Sequence, residues 1–534
     1  MKRMNRLILL SAAIFLLASC DKDFKEINTN PQQIKNTNAG YLFTNALLNT
    51  PTTNWTGEST IIQQFVLPYN QGVTLGYQFN ENVDGINNGP FGVYTASLKH
   101  LEHILAQLKS DTTRPNLYNM SRIWRAYCYM WLVDHYGDVP YTEAGQAALE
   151  GLFYPKYDKD ELIYEDLHKE IKEATDALNP VKDNNSKYDI FTPGIAGTAG
   201  EVAFWKKLGY SLLLRLGMRY SKLDQNKAKA IVQEAFNGGV MQSNLDNVYI
   251  RYNNNGAPIT GYTNASGNIR TTSYFYYAAK PFVDKLKAFK DPRLKYMVAN
   301  YNPFQSTAPN IANPDTTMAN QFGFPIAQSD ATINASPDFR PPTPAGPGNN
   351  PPASTGLNYS QVNYKVIANA LSPVMLITNA QTKLLLAEAA LKGWLPAGAL
   401  TAQQYYETGV RASMDEFNLF PNVQSPSAIP AGLQDSYLTQ PGVAWDPTNA
   451  LNLINTQYWI ECFTNGYEGW SNFRRSGYPV LSPNLWNNNL NGGFIRRFAY
   501  PLRERDLNYA NYSQAVTSLG GPDNLITRVF WDTP

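Results

Sequence analysis

Acid–base, nucleophilic or metal chemistry needs histidines, thiols or paired carboxylates at workable spacing, and this sequence supplies few. Its 534 residues include four histidines and three cysteines. His100 and His103 stand at i and i+3, where two imidazoles on one helix could share a metal, but no third ligand nearby completes a site. Glu165 and His168 give half of a di-iron carboxylate motif, and the second half is missing. Asp183, Asn185 and Asp189 could present oxygens to Ca²⁺, yet the glycine and terminal glutamate of an EF-hand are absent. No HExxH, G-x-S-x-G or P-loop occurs. Glu388 lies inside the apolar run Leu384–Leu391, where an unpaired charge is costly. The arginine pairs Arg474-Arg475 and Arg496-Arg497 could partner it, so an ion pair is expected ahead of a general acid of raised pKa. The expectation is a protein that is not an enzyme, with no metal and no cofactor.

Aromatic residues are the stronger signal. Phe, Trp and Tyr make up 13% of the chain, with 34 tyrosines. Many stand in Asn-, Gly- and Thr-rich stretches: Trp55, Tyr69 to Phe91, Tyr262, Tyr274, Phe322, Phe324 and Trp445. Aromatic faces stack on the apolar faces of sugar rings, while Asn, Gln and Arg hydrogen-bond the hydroxyls. Tyr and Trp also give large, rigid contact area at low entropic cost. Any one ring could equally anchor a loop on a scaffold, but as a population they point to ligand capture. Tyr69, Tyr77, Phe79, Tyr262, Phe322 and Trp445 are the candidate contacts.

The elements that must carry these rings are mostly helices. Apolar residues recur near a period of 3.6 in Pro90–Leu108, Leu117–His135 and Asp160–Leu178, the last stopped by Pro180. Glu201–Tyr220 follows, with Leu223–Phe236 as its partner. Trp205-Lys206-Lys207-Leu208-Gly209 matches the W-x₂-L-G start of a tetratricopeptide repeat, with Leu212 in place of Tyr and Ala228 in the second helix. Helical pattern returns over Pro373–Lys392, Ala402–Phe417 and Leu451–Phe463. Between these blocks, Asn253–Tyr276 and Tyr301–Ser360 are rich in Asn, Gly, Pro, Ser and Thr, and Arg340 to Pro347 fits neither helix nor central strand. The expected class is mainly α: tetratricopeptide-like helix pairs with long irregular loops and minor β structure.

The N-terminus reads as an address. Lys2, Arg3 and Arg6 precede the apolar run Leu7–Leu17, which is too short for an ordinary membrane-spanning helix and suits a secretory signal. Leu17-Ala18-Ser19-Cys20 resembles the lipobox of bacterial lipoproteins, where Cys20 becomes the acylated first residue. The expected organisation is a signal peptide at 1–19, a polar tether at 20–38 and one ligand-binding domain at 39–534. Losing residues 1–19 removes three basic residues and leaves 41 basic against 43 acidic, a net charge of −2. So neutral a chain lacks the electrostatic footprint of a nucleic-acid binder. Cys128 and Cys462 are expected to be buried thiols, although a disulfide between them is possible in an oxidising compartment.

Several stretches together resemble the SusD/RagB family of outer-membrane nutrient-binding lipoproteins, in its SusD-like branch. They are Ser19 to Phe24 with Ile27-Asn28-Thr29-Asn30-Pro31, Asp134-His135-Tyr136-Gly137-Asp138-Val139-Pro140-Tyr141, Ser211 to Arg219, and Asp291-Pro292-Arg293. Ala387-Glu388-Ala389-Ala390, Glu468-Gly469-Trp470, Arg474 to Pro479 and Arg496 to Pro501 complete the ordered set. The resemblance implies four tetratricopeptide-like helix pairs crossed by long loops. It also implies a SusC-like TonB-dependent barrel as partner, over which the lipoprotein sits as a hinged lid at the outer surface of the outer membrane. The cargo implied is an oligosaccharide, with a peptide or other nutrient as the alternative and a cell-surface hydrolase as a third reading. The shared motifs look like scaffold, so they assign no ligand contact; the six aromatic candidates rest on composition.

Overall fold

The computed structural model describes residues 37–52, 57–67, 82–192, 194–252, 264, 277–301, 314–328, 332–340, 358–423, 428–485, 490 and 492–534. Helices of eight or more residues are numbered here in chain order. Ala39–Leu48 (α1) and Lys99–Leu108 (α2) lead into Pro115–Tyr136 (α3), which packs with Asp160–Ala177 (α4). Gly197–Arg219 (α5) packs with Gln225–Gly238 (α6), and Lys280–Ala288 (α7) intervenes before the next pair. Asn379–Leu391 (α8) packs with Ala402–Asp415 (α9). After Ala431–Leu438 (α10), Ala450–Glu461 (α11) packs with Gly466–Ser476 (α12), and Tyr509–Ser518 (α13) lies near the C-terminus. Four helix pairs form the frame among the described residues, the number the family resemblance implies.

The repeat residues act by size. Trp205 is fully buried against Trp124, Phe191 and Phe43. A Cβ on Gly209 would strike Thr175 of α4, and one on Gly217 would strike Ile231 of α6, so both glycines set helix spacing. Caps fix where helices begin. Thr378 and Gln381 form a capping box on α8, Thr401 and Gln404 form another on α9, and Asp224 caps α6. At α3 the Asp183 carboxylate accepts from the N–H groups of Asn116 and Leu117 at 2.8 and 3.1 Å.

Two expected helices differ. Within 90–108, Pro90–Gly92 is a 3₁₀ turn and Tyr94–Leu98 a π-helical turn, and the α-helix begins only at Lys99. The Ser97 hydroxyl in that turn reaches the Ala46 and Asn49 carbonyls of the α1 end at 2.9 and 2.7 Å. Within 373–392, Val374–Ile377 is a strand rather than a first helical turn, because Thr378 starts the helix and Val248–Ile250 offers a pairing edge.

Strands are short. In chain order they are Phe65–Val66 (β1), Val139–Pro140 (β2), Tyr157–Asp158 (β3), Val248–Ile250 (β4), Tyr277–Ala278 (β5), Val298–Ala299 (β6), Gln361–Val362 (β7) and Val374–Ile377 (β8). An antiparallel sheet runs β1-β5-β7-β6, and β2-β3 and β4-β8 form two-stranded ribbons. One large apolar cluster joins α1 through the C-terminal Trp531, and a smaller one lies under the four-stranded sheet around Val66, Tyr277, Phe324 and Tyr359. Every indole N–H among Trp124, Trp205, Trp459, Trp470 and Trp531, all fully buried, has an acceptor.

Charge also crosses this core. Glu468 of α12 accepts from Arg219 of α5 at 2.7 Å, lies 3.4 Å from Arg215 and accepts from Tyr458 at 2.8 Å. Asp134 of α3 joins through Arg219 at 3.3 Å and accepts from Tyr467 and Trp531 at 2.8 and 2.9 Å. Burial alone would raise the Glu468 carboxyl, but Arg215 and Arg219 overcome it and hold it below the usual range. Glu388 pairs with Arg475 at 2.7 and 2.8 Å, the ion pair the sequence suggested. Cys128 and Cys462 are buried free thiols. Removing one partner of a buried pair strands the other, so Glu468→Ala is expected to lower unfolding stability by about 3–5 kcal/mol. Glu388→Met with Arg475→Leu should cost less than Glu388→Met alone. Urea midpoints of the three variants check both statements.

Candidate functional site

The histidine motifs come first. His168 is tied to Glu234 at 2.7 Å and His100 to Asn45 at 3.2 Å, so neither metal motif is assembled by them. Among the described residues no group of three or more His, Cys, Asp or Glu is placed to hold a metal ion. The Asp183 carboxylate caps α3, and that of Asp189 accepts from Trp205, Phe191 and Thr192, so the oxygens once available for Ca²⁺ are engaged.

A carboxylate pair does exist. Glu416 and Glu461 are buried together, with Asn247 donating to Glu416 at 3.3 Å and Thr378 donating to Glu461 at 2.8 Å. Burial and the facing Glu461 charge push Glu416 well above the usual carboxylate range. The adjoining cavity is about 20 Å³ and walled by Met297, Phe417, Phe420 and Phe463. Ligand sites run to roughly 300–1,000 Å³. No sugar ring enters there.

Binding geometry is better provided. Four of the six ends of the aromatic-rich stretches join the four-stranded sheet. β1 closes three residues before Tyr69, and β5 opens directly after the stretch 253–276 that contains Tyr262. β6 ends just before the stretch 301–360, and β7 begins just after it. The sheet, with a small apolar cluster and the start of α7, therefore holds one end of 69–91, one end of 253–276 and both ends of 301–360. Gly323 makes this close packing possible, because a Cβ there would collide with Lys280 at the α7 N-terminus.

The six predicted contacts divide. Tyr69, Tyr77, Phe79 and Tyr262 lie outside the described residues, as does the lipidation candidate Cys20. Phe322 is half-buried beside the sheet, with the Arg340 guanidinium 3.2 Å and the Lys287 ammonium 4.6 Å from its ring centre. Its backbone N–H is held by Ser360 at 2.8 Å. A ring so engaged presents cations as much as an aromatic face. Trp445 is half-buried against Tyr406, with centroids 5.4 Å apart. Its loop approaches the far end of α7, where Gly442 packs on Phe289.

The sequence reading passed over Gly151-Leu152-Phe153-Tyr154-Pro155. Phe153 is 70% and Tyr154 65% exposed, more than either described candidate. Three consecutive apolar residues between Gly and Pro, outside any helical pattern, were the available signal.

The paired helices define a scaffold of the tetratricopeptide-like kind. The chain matches the family described as "SusD-like_2: Starch-binding associating with outer membrane" over residues 31–501, and it belongs to that family. A solved chitin-binding protein is similar at 25% identity and TM-score 0.74, with 93% of this chain and 100% of that one covered. A SusD-like protein of Bacteroidetes gives 24% identity and TM-score 0.77 with the same coverage. A chitin-binding SusD homologue from Flavobacterium johnsoniae gives 22% identity and TM-score 0.68, covering 92% and 97%. No curated protein matches the chain. Among the described residues, no helix is long and apolar enough to cross a membrane.

The buried carboxyls make stability depend on pH in an unusual direction. Burial and the Asp138 charge push Asp160 up to about 7, and burial pushes Glu201 up to about 7. In the unfolded chain these groups release their protons near pH 4. Between pH 4 and 7 the folded state therefore binds more protons, and stability falls as pH rises through that window. Thermal midpoints are expected to drop from pH 5 to pH 8, with a shallower drop in Glu416→Gln.

Proposed function

We propose that the chain is a surface lipoprotein that captures an oligosaccharide and passes it to a SusC-like TonB-dependent outer-membrane barrel, over which it sits as a lid. One observation carries this reading: both ends of the 301–360 stretch and one end each of 69–91 and 253–276 join the four-stranded sheet beside the helical frame. Such an arrangement suits capture, because loops can vary in sequence and move while the frame stays fixed. The family description and the chitin-binding relatives favour a glycan as cargo, with chito-oligosaccharides first and malto-oligosaccharides second. Binding without turnover fits the reading, since a lid needs affinity and motion but no chemistry.

In this reading residues 39–534 act as one ligand-binding domain, residues 1–19 are removed, and 20–38 tether it. Cys20 carries the acyl chains, each contributing about 0.8 kcal/mol per buried CH₂ to anchoring. Tyr69, Tyr77, Phe79 and Tyr262 supply stacking faces, with Phe322 and Trp445 as flanking contacts. A peptide remains the alternative cargo, as peptide side chains also use aromatic platforms.

Calorimetric titration of residues 21–534 with chito-oligosaccharides, malto-oligosaccharides and peptides tests the cargo. Saturable heat with a glycan is expected. Replacing Tyr69 or Tyr262 by Ala should weaken it roughly tenfold, the scale of one lost stacking face. Heat with peptides alone would overturn the glycan assignment, and release of shortened product would overturn the non-catalytic one. Cys20→Ala is expected to move the protein from the membrane fraction to the soluble fraction.

A further inference from the structure

An apolar cavity lies away from the sheet, where the 139–158 ribbon meets the α2 approach and the helix Leu502–Leu507. Its volume is about 490 Å³, within the range of small-molecule sites. Phe91 and Tyr94 are among its lining residues, with Phe153, Tyr154, Leu152 and Leu507 among the others. The floor is pre-formed. Tyr94 packs on Phe91 with centroids 4.9 Å apart, and its hydroxyl donates to the Pro140 carbonyl at 2.5 Å. The mouth is wet but apolar, with Phe153 and Leu507 at 70% and 71% exposure. Isolated exposed rings are ordinary, but several around one cavity mark a binding surface.

The polar groups around it are mostly spent. Tyr157 donates to Glu504 at 2.9 Å, Lys156 pairs with Glu143 at 3.2 Å, and Asn508 donates to the Pro155 carbonyl at 2.8 Å. Two lining cations are not. Lys99 makes no ion pair among the described residues, and Arg503 reaches only its neighbour Glu504 at 3.9 Å, while its guanidinium stands 5.4 Å from the Phe91 ring centre. Leu98, Pro140, Ala144, Leu152 and Pro155 extend the apolar wall beside the rings.

We infer that this cavity is a second binding site, separate from the sheet loops, for an amphiphile with an apolar body and a single anionic head. The body fills the space over Phe91 and Tyr94, and the head lies between Lys99 and Arg503. The inference is independent of the cargo assigned to the sheet loops.

Decanoate, below its micellar concentration, is the probe. Calorimetry with the chain from residue 21, which contains every described residue, should give one saturable site. Phe153→Ser with Leu507→Ser, both at exposed positions, should weaken it tenfold or more. Lys99→Gln with Arg503→Gln should weaken it roughly fivefold. Decyltrimethylammonium should bind at least tenfold more weakly than decanoate. The inference is overturned by absence of saturable binding, by indifference to the Phe153 and Leu507 changes, by equal binding of the cationic amphiphile, or by an oligosaccharide displacing decanoate.

Discussion

Asp134, Arg219 and Glu468 meet in the centre of the molecule with no water access to any of them. They come from α3, α5 and α12, so one network ties the first, second and fourth helix pairs, and Trp531 adds the C-terminus through its bond to Asp134. Such charges are costly to bury and tolerable only when each finds its partners. The helical frame is therefore correct in register or not formed there at all. Arg293 with Asp291, Tyr437 and Gln457, and Arg475 with Glu388, Asn455 and Asn472, repeat the device elsewhere in the core.

A frame fixed in this way leaves the loops free to differ. The solved relatives share 22–25% of residues with this chain and still superpose over more than nine-tenths of it. In this chain the paired charges and close-packed glycines hold that frame. The aromatic-rich stretches sit outside that requirement, hung from short strands that need only two residues each. Fold and cargo are thereby separable, and function is argued from the loops rather than from the helices.

Much of the frame was legible in the sequence because its signals are local. Trp205, Gly209 and Ala228 announced a repeat, apolar spacing gave most of the paired helices, the family resemblance implied that the pairs number four, and Glu388 inside a leucine run called for an arginine. Less legible were features decided by distant partners. Val374–Ile377 is a strand because residues 248–250 lie beside it, and 94–98 widens to a π turn where Ser97 meets α1. Of the candidate contacts, Phe322 and Trp445 could be read as loop aromatics, but not that Arg340 and Lys287 cover the one and Tyr406 the other. Phe153 and Tyr154 escaped notice because exposure in a short loop leaves no periodic trace.

The central claim is that the stretches joined to β1, β5, β6 and β7 capture a glycan. Hydrogen–deuterium exchange of residues 21–534, with and without a saturating chito-oligosaccharide, tests it most directly. Protection concentrated in 65–81, 253–278 and 300–360, with the helix pairs unchanged, is the predicted result. Protection confined to the 139–158 ribbon or the helix pairs, or none at any attainable concentration, would contradict it.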